Sequence, residues 1–397
     1  MSEQHEQQQL QSQQKDPQKG IELKVLHTCA SLNGHGYQML QIAQYATEHN
    51  HMSYVACADS HTNSNKTDPY LEKLLRVGGM HIPSPFDTPG SALKAPVEGY
   101  KLAAHIKENG IDMIHAHDAR TIPVALWASK FSGVPVVVSA NTSETPNRVL
   151  RKSYGIVAPS LYMAKKVGLK GVHILPPSYD PVDLHNKNID ADAVDGLWAE
   201  WDVPTATSVI LVTEPLREEN GYRHLIEAFG LMKKIPFKAI ICANYTEQQA
   251  LFTDLWKRIE ALGISKEVLF IDKPTDSNVM KNVLSACDVV VFPNSNPEAE
   301  AQSVVNAQAM GKAVVVHSPS NRAEVVDSGK TGWLVNLENP ETAANKLSLV
   351  LKDATTDMTR LQKMGTTATR HCKEHYTTAA VCTELFAFYD QIRHASS

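Results

Sequence analysis

Between Cys287 and Val335 the chain reads CDVVVFPNSNPEAEAQSVVNAQAMGKAVVVHSPSNRAEVVDSGKTGWLV. Two short β-branched runs, Val289–Phe292 and Ala313–Val316, flank a helical pattern at Ser303–Met310. An acidic loop leads into the helix, a tight turn at Gly311 leads out, and a polar loop and a Gly-containing turn precede a third run at Trp333–Val335. The runs are continuously apolar rather than alternating, which is the pattern of strands buried on both faces. Strand, helix, strand with short links is the crossover unit of a parallel sheet.

The same grammar fills most of the chain. Strand-like runs at Leu23–His27, Tyr54–Ala56, Met113–His115, Pro135–Ser139, Ile156–Ala158 and His173–Leu175 are separated by helical patterns at Tyr37–Glu48, Ser91–Glu108, Thr121–Phe131 and Leu161–Val167. An irregular stretch, Pro176–Asn188, holds three prolines and reads as a linker. A second series follows: runs at Val209–Val212, Lys238–Cys242 and Val268–Ile271, then the two above, with helices at Tyr222–Lys234, Glu247–Leu262 and Asp276–Ala286. Helical patterns at Pro340–Leu351, Met358–His375 and Thr378–Arg393 close the chain. At 397 residues, two strand series of similar length suit two α/β domains better than one large sheet.

The net charge of −5 gives no reason to expect a nucleic-acid partner. None of the six cysteines forms a CxxC pair, and Cys29, Cys57, Cys242 and Cys287 lie in or beside apolar runs, so buried reduced thiols are expected. Residues 1–20 are Gln-rich and almost devoid of apolar side chains. Such a segment cannot offset its chain entropy and reads as a disordered tail, and it lacks the apolar core of a signal peptide. No run approaches the ~20 apolar residues of a membrane helix, which points to a cytoplasmic protein, at most peripheral to a membrane.

The segment Glu298-Ala-Glu300-Ala301-Gln-Ser303-Val-Val-Asn306-Ala-Gln-Ala-Met-Gly311, together with Gly329–Val335, resembles the donor-binding half of the family-4 retaining glycosyltransferases. The resemblance implies a GT-B fold: two Rossmann-like, doubly wound parallel-sheet domains facing a cleft, with a C-terminal helix crossing back to the first. The expected boundaries are 21–185 for the acceptor domain, 186–377 for the nucleotide-sugar donor domain and 378–397 for the crossover helix. By the same resemblance Glu298 lies beside the donor sugar, Ser303 near the donor, and Asn306 where the family has a Glu that holds the ribose hydroxyls. Asn keeps a hydrogen-bonding group but loses a charge-assisted contact, weakening nucleotide binding by about 1–2 kcal/mol. The family's Gly-Arg-Leu…Lys-Gly phosphate clamp corresponds to Glu214-Pro215-Leu216…Asn220-Gly221, ahead of Leu225-Ile226-Glu227-Ala228. Both clamp cations are therefore missing from their places, and Glu214, Glu218 and Glu219 add negative charge. Arg217, two residues on, and Arg322, in the loop that ends at Glu324, are the candidate replacements.

In the first half, Gly34-His35-Gly36 matches the family's Gly loop after the first strand, and its backbone amides could cradle a phosphate or acceptor group. A flexible turn is the alternative. His115-Ala-His117 ends a strand, and period 2 puts both rings on one face. The resemblance makes His117 the residue that reaches the donor sugar, and Asn141 stands where relatives often have another His. No third ligand accompanies the histidine pair, so no metal is expected. Arg148, Arg151, Lys152, Lys165, Lys166 and Lys170 read either as a surface for anionic lipid or as an ordinary solvated face.

These readings lead to a metal-independent, retaining hexosyltransferase. It would use a nucleotide sugar as co-substrate, no cofactor, and a glycan or lipid-linked acceptor. The alternative is a GT-B scaffold that has lost catalysis and serves as a binding or partner subunit. A sugar-nucleotide epimerase is a weaker third reading, disfavoured by the layout of Glu298–Gly311 and Gly329–Val335.

Overall fold

The structure is a computed structural model that describes residues 22–32, 36–57, 69–83, 94–184, 189–274 and 276–396. The Gln-rich segment 1–20 and two of the loop residues singled out above, Gly34 and His35, lie outside the described residues. The chain divides into two units. The first comprises residues 1–158, 166–175 and 382–397, and the second 159–165 and 176–381. The proline-rich stretch from Pro176 thus belongs to the second unit.

In the first unit, strands β1 (Lys24–Thr28), β2 (Met52–Cys57), β3 (Met80–Pro83), β4 (Met113–Ala116), β5 (Val136–Ser139), β6 (Gly155–Ala158) and β7 (Val172–Ile174) form one sheet in the order β3-β2-β1-β4-β5-β6-β7. Every pairing is parallel. The order reverses between β1 and β4, whose register sets His27 opposite His115. The last helix, Thr378–Ser396, starts in the second unit and belongs to the first from Cys382 onward. There Tyr389 donates or accepts at His115, Thr383 bonds Tyr45, and Phe388 stacks on His173. Gly155 is required beneath this helix, because a Cβ there would lie 2.8 Å from the Phe388 ring.

The second unit holds β8 (Ser208–Val212), β9 (Phe237–Cys242), β10 (Val268–Ile271), β11 (Val289–Val291), β12 (Ala313–His317) and β13 (Gly332–Val335), all parallel, in the order β10-β9-β8-β11-β12-β13. Successive residues of one strand enter different cores. Ile210, Val212, Val289 and Val291 pack with Phe229, Leu255 and Leu347. Val209, Leu211 and Val290 pack with Trp201, Val304 and Cys372. Both faces are covered, which is why these strands are apolar without alternation.

The structure adds elements that the sequence reading lacks. Strand β3 has four residues and ends in proline, a weak pattern that survives because β3 is a sheet edge, where a missing N–H breaks no ladder. The helix Ala191–Glu200 buries only Val194, so its apolar stripe is too thin to read. It is set by Asp190, whose carboxylate accepts from the Ala193 amide at 3.1 Å. Helices at Pro69–Arg76 and Asn147–Leu150 complete the additions.

Candidate functional site

Three loops leave the carboxyl edge of the second sheet: 213–221 after β8, 292–301 after β11 and 318–324 after β12. The order reverses between β8 and β11, the position in an open α/β sheet where the flanking loops part and ligands bind.

Hydrogen bonds knit these loops. Asn220 is buried, donates from Nδ2 to the Pro215 carbonyl at 2.8 Å and accepts from Asn294 at 2.9 Å. It therefore splices the loop after β8 to the loop after β11. Gly221 next to it has φ of +77°, and a Cβ there would lie 2.2 Å from the Pro293 carbonyl oxygen, so only glycine fits. Two successive Asx turns, Asn294 to the Asn296 amide and Asn296 to the Glu298 amide, shape the segment that presents Glu298, which is half-buried. Asn321 is buried, donates to the Glu298 carbonyl and accepts from Ser160. Glu324 accepts from the amides of Leu161, at 2.6 Å, and Tyr162.

The charges at this edge are mostly paired. Glu214 and Arg322 form an ion pair of 2.6 Å, with side chains only 4% and 9% exposed. Arg322 also donates from Nε to the Glu300 carbonyl and lies over the Phe292 ring. Glu218 pairs with Arg223. Arg217 is exposed, in an extended conformation ahead of the short 3-10 turn Glu218–Asn220. On the helix Gln302–Ala309, Ser303 is exposed, and half-buried Asn306 accepts from Gln302 at 2.9 Å. Of the expected donor residues, Glu298, Asn220 and Arg322 are thus tied into the linked loops, Glu324 holds the segment at Leu161 and Tyr162, and Ser303, Asn306 and Arg217 stand outside the network. Trp333 is core, with its ring nitrogen donating to Asp353.

In the first unit, the histidine pair has a third member that sequence reading missed. His27, His115 and His117 are all buried, and one nitrogen from each lies within 4.8 Å of the others. The signal for His27 was its place in β1 opposite His115, visible only once the strand register is known. His27 Nδ1 is 3.0 Å from His117 Nε2, while the two nitrogens of His115 meet Tyr389 Oη at 2.6 Å and Ser139 Oγ at 2.9 Å. A metal would need a nitrogen that His115 has already committed, so a hydrogen-bonded cluster describes these rings better than a ligand set. Burial pushes His27 down to about 3, and burial, followed by His27 and His173, holds His115 well below the ordinary imidazole range. Asn141 donates to the His117 carbonyl at 3.0 Å, and Gly36 opens the helix Gly36–Glu48. The basic residues Arg148, Arg151, Lys152, Lys165, Lys166 and Lys170 are exposed, and Arg151 and Lys170 line a cavity of about 440 Å³ with Tyr154. Among the described residues no helix is long and apolar enough to cross a membrane.

Comparison with known proteins adds three kinds of match. The family described as Glycosyltransferase Family 4 matches residues 32–181, and Glycosyl transferases group 1 matches residues 199–371. A D-inositol 3-phosphate glycosyltransferase of Corynebacterium efficiens is 28% identical over 196 residues, which are 48% of this chain and 45% of that protein. The chain thus spans less than half the length of that relative. A phosphatidyl-myo-inositol mannosyltransferase of Mycobacterium leprae is 21% identical over 340 residues, covering 83% of this chain and 87% of that one. Among solved structures, HepE of Anabaena in complex with UDP and glucose is similar with a TM-score of 0.73 and 16% identity, over 93% of this chain and 100% of that one. At that identity the likeness is one of fold, and the fold is GT-B.

Proposed function

This chain belongs to the family-4 glycosyltransferases, and from that premise we propose that it moves a hexose from a nucleotide sugar to a glycan or lipid-linked acceptor, with retention and without a metal. The observation that carries the reading is the loop network at the carboxyl edge of the second sheet. Glu298, Arg322 and Asn220 come from three separate loops, and these loops are joined by the Asn220–Asn294 and Asn321–Glu298 hydrogen bonds and by the Glu214–Arg322 ion pair, beside the strand-order reversal. A site held this way presents fixed dipoles and charges to a departing diphosphate, and such preorganised groups, rather than a general base, would carry most of the rate. Glu298 would lie along the donor sugar and Asn306 near the ribose. The named relatives, one a glycosyltransferase and one a mannosyltransferase, support the reaction class, and the UDP bound by HepE supports a nucleoside diphosphate.

One observation favours the alternative of a scaffold that has lost catalysis. The positions of both clamp cations are Pro215 and Asn220, and Asn220 has been turned to holding loops together. Titration with UDP, GDP and ADP while following thermal unfolding separates the two. A working donor site should gain about 1–3 kcal/mol from one of the three at saturation, and incubation with the matching nucleotide sugar should release that diphosphate. A chain that melts cooperatively and responds to none of them is not a transferase.

A further inference from the structure

We propose that Arg322 is the cation that receives the donor's diphosphate, and that Glu214 is an internal anion that occupies Arg322 until the diphosphate displaces it. The inference rests on the transferase reading above and concerns the same site.

Glu214 stands two residues beyond the end of β8, and Arg322 in the loop beyond β12. These strands lie on either side of β11. The pair therefore bridges the mouth of β11, beside the reversal, and the guanidinium sits 5.1 Å above the ring of Phe292, the first residue after that strand. Both charges are buried, and a buried pair owes its stability to each partner's presence. The pairing is incomplete, however. Nη1 approaches Glu214 to 2.6 Å, yet it is buried without a hydrogen bond of acceptable angle. Nε is satisfied, by the Glu300 carbonyl. A guanidinium held by its Nε, with an outer nitrogen aimed near a carboxylate but not bonded to it, has a donor left for a better-placed acceptor. A diphosphate offers that acceptor with more charge and with oxygens in the fork geometry that Arg prefers.

The sequence points the same way. Glu214 occupies the place of the family's clamp glycine, directly before the lost Arg at Pro215. A carboxylate has therefore entered where a glycine left room for phosphate, and the cation now comes from another loop. The consequence is a site whose affinity for diphosphate is set by competition with its own side chain, while its affinity for an uncharged nucleoside is not.

The test is calorimetric titration of the full chain with UDP, GDP, ADP, inorganic pyrophosphate and the corresponding nucleosides. Four proteins are compared: wild type, Glu214→Gln, Glu214→Gly and Glu214→Gln/Arg322→Gln. Gln keeps the volume and an acceptor for the guanidinium, and Gly is the family's residue, so two independent variants can report. Expected is a gain of roughly tenfold or more for one nucleoside diphosphate and for pyrophosphate in either single variant, no change for nucleosides, and loss of the gain in the double variant. If the wild type binds a diphosphate and the single variants bind it no better, the internal-anion proposal is overturned and the transferase reading stands. A gain that survives in the double variant overturns the assignment to Arg322. If no protein binds any nucleotide while all melt cooperatively, the transferase reading falls and the proposal with it.

Discussion

Acidification from pH 7 to pH 5 should loosen the first sheet through its buried histidines. His27 lies 1% exposed against His115, His117 and Tyr389, rings that carry no negative charge to hold a proton. Burial lowers its pKa to about 3, against an ordinary value of 6.5. The unfolded chain therefore takes up a proton as pH falls through 6.5, and the folded chain does not until near 3. Stability from this group is fully present above 6.5 and is lost progressively below it, at about 1.4 kcal/mol per pH unit. At pH 5 the loss from His27 is about 2 kcal/mol, and His115, lowered chiefly by burial, moves in the same direction. Hydrogen exchange read by mass spectrometry, corrected for the intrinsic pH dependence, resolves this locally. Peptides covering β1 and β4 should exchange roughly 30-fold faster for each 2 kcal/mol lost. In His27→Asn, whose side chain does not titrate, the pH-dependent part should shrink by that factor whatever the baseline stability. Equal acid sensitivity in wild type and variant would refute the reasoning.

Other substitutions test the second unit. Gly221→Ala places a Cβ 2.2 Å from the Pro293 carbonyl oxygen at a φ of +77°, and should cost about 2–4 kcal/mol by denaturant unfolding. Gly329→Ala, at the same φ but with nothing within 4 Å, should cost only about 1 kcal/mol. Arg322→Met leaves the Glu214 carboxylate buried without its cation and should cost about 3–5 kcal/mol, most of it recovered in Glu214→Leu/Arg322→Met. If transfer proceeds without a metal, turnover should persist in excess EDTA, and restoration by Mg²⁺ or Mn²⁺ of activity lost to the chelator would contradict the proposal.

Layered α/β architecture could be read from the sequence because it depends on local periodicity. Continuous runs such as Val289–Phe292 need two covered faces, and helical patterns between them supply the covers. The same logic failed at β3 and at Ala191–Glu200, where an edge position or a single capping carboxylate replaces the apolar pattern. The positions Glu298, Asn306 and Glu324 were singled out by resemblance to a family motif. Their partners were not, because no spacing tells which carboxylate meets which cation across three loops.

By itself, then, the order of residues determined that two parallel sheets would form and which loops would crowd the carboxyl edge of the second. By resemblance, it also set Pro215 and Asn220 where the family has its clamp cations. Tertiary structure alone decided that His27 completes a histidine cluster, that Asn220 is a splice, and that Glu214 is neutralised by Arg322, 108 positions along the chain. Periodicity is set by neighbours a few residues apart. Charge pairing in a buried site is set by distance in space, and chain folding brings together groups whose separation in sequence carries no trace of it.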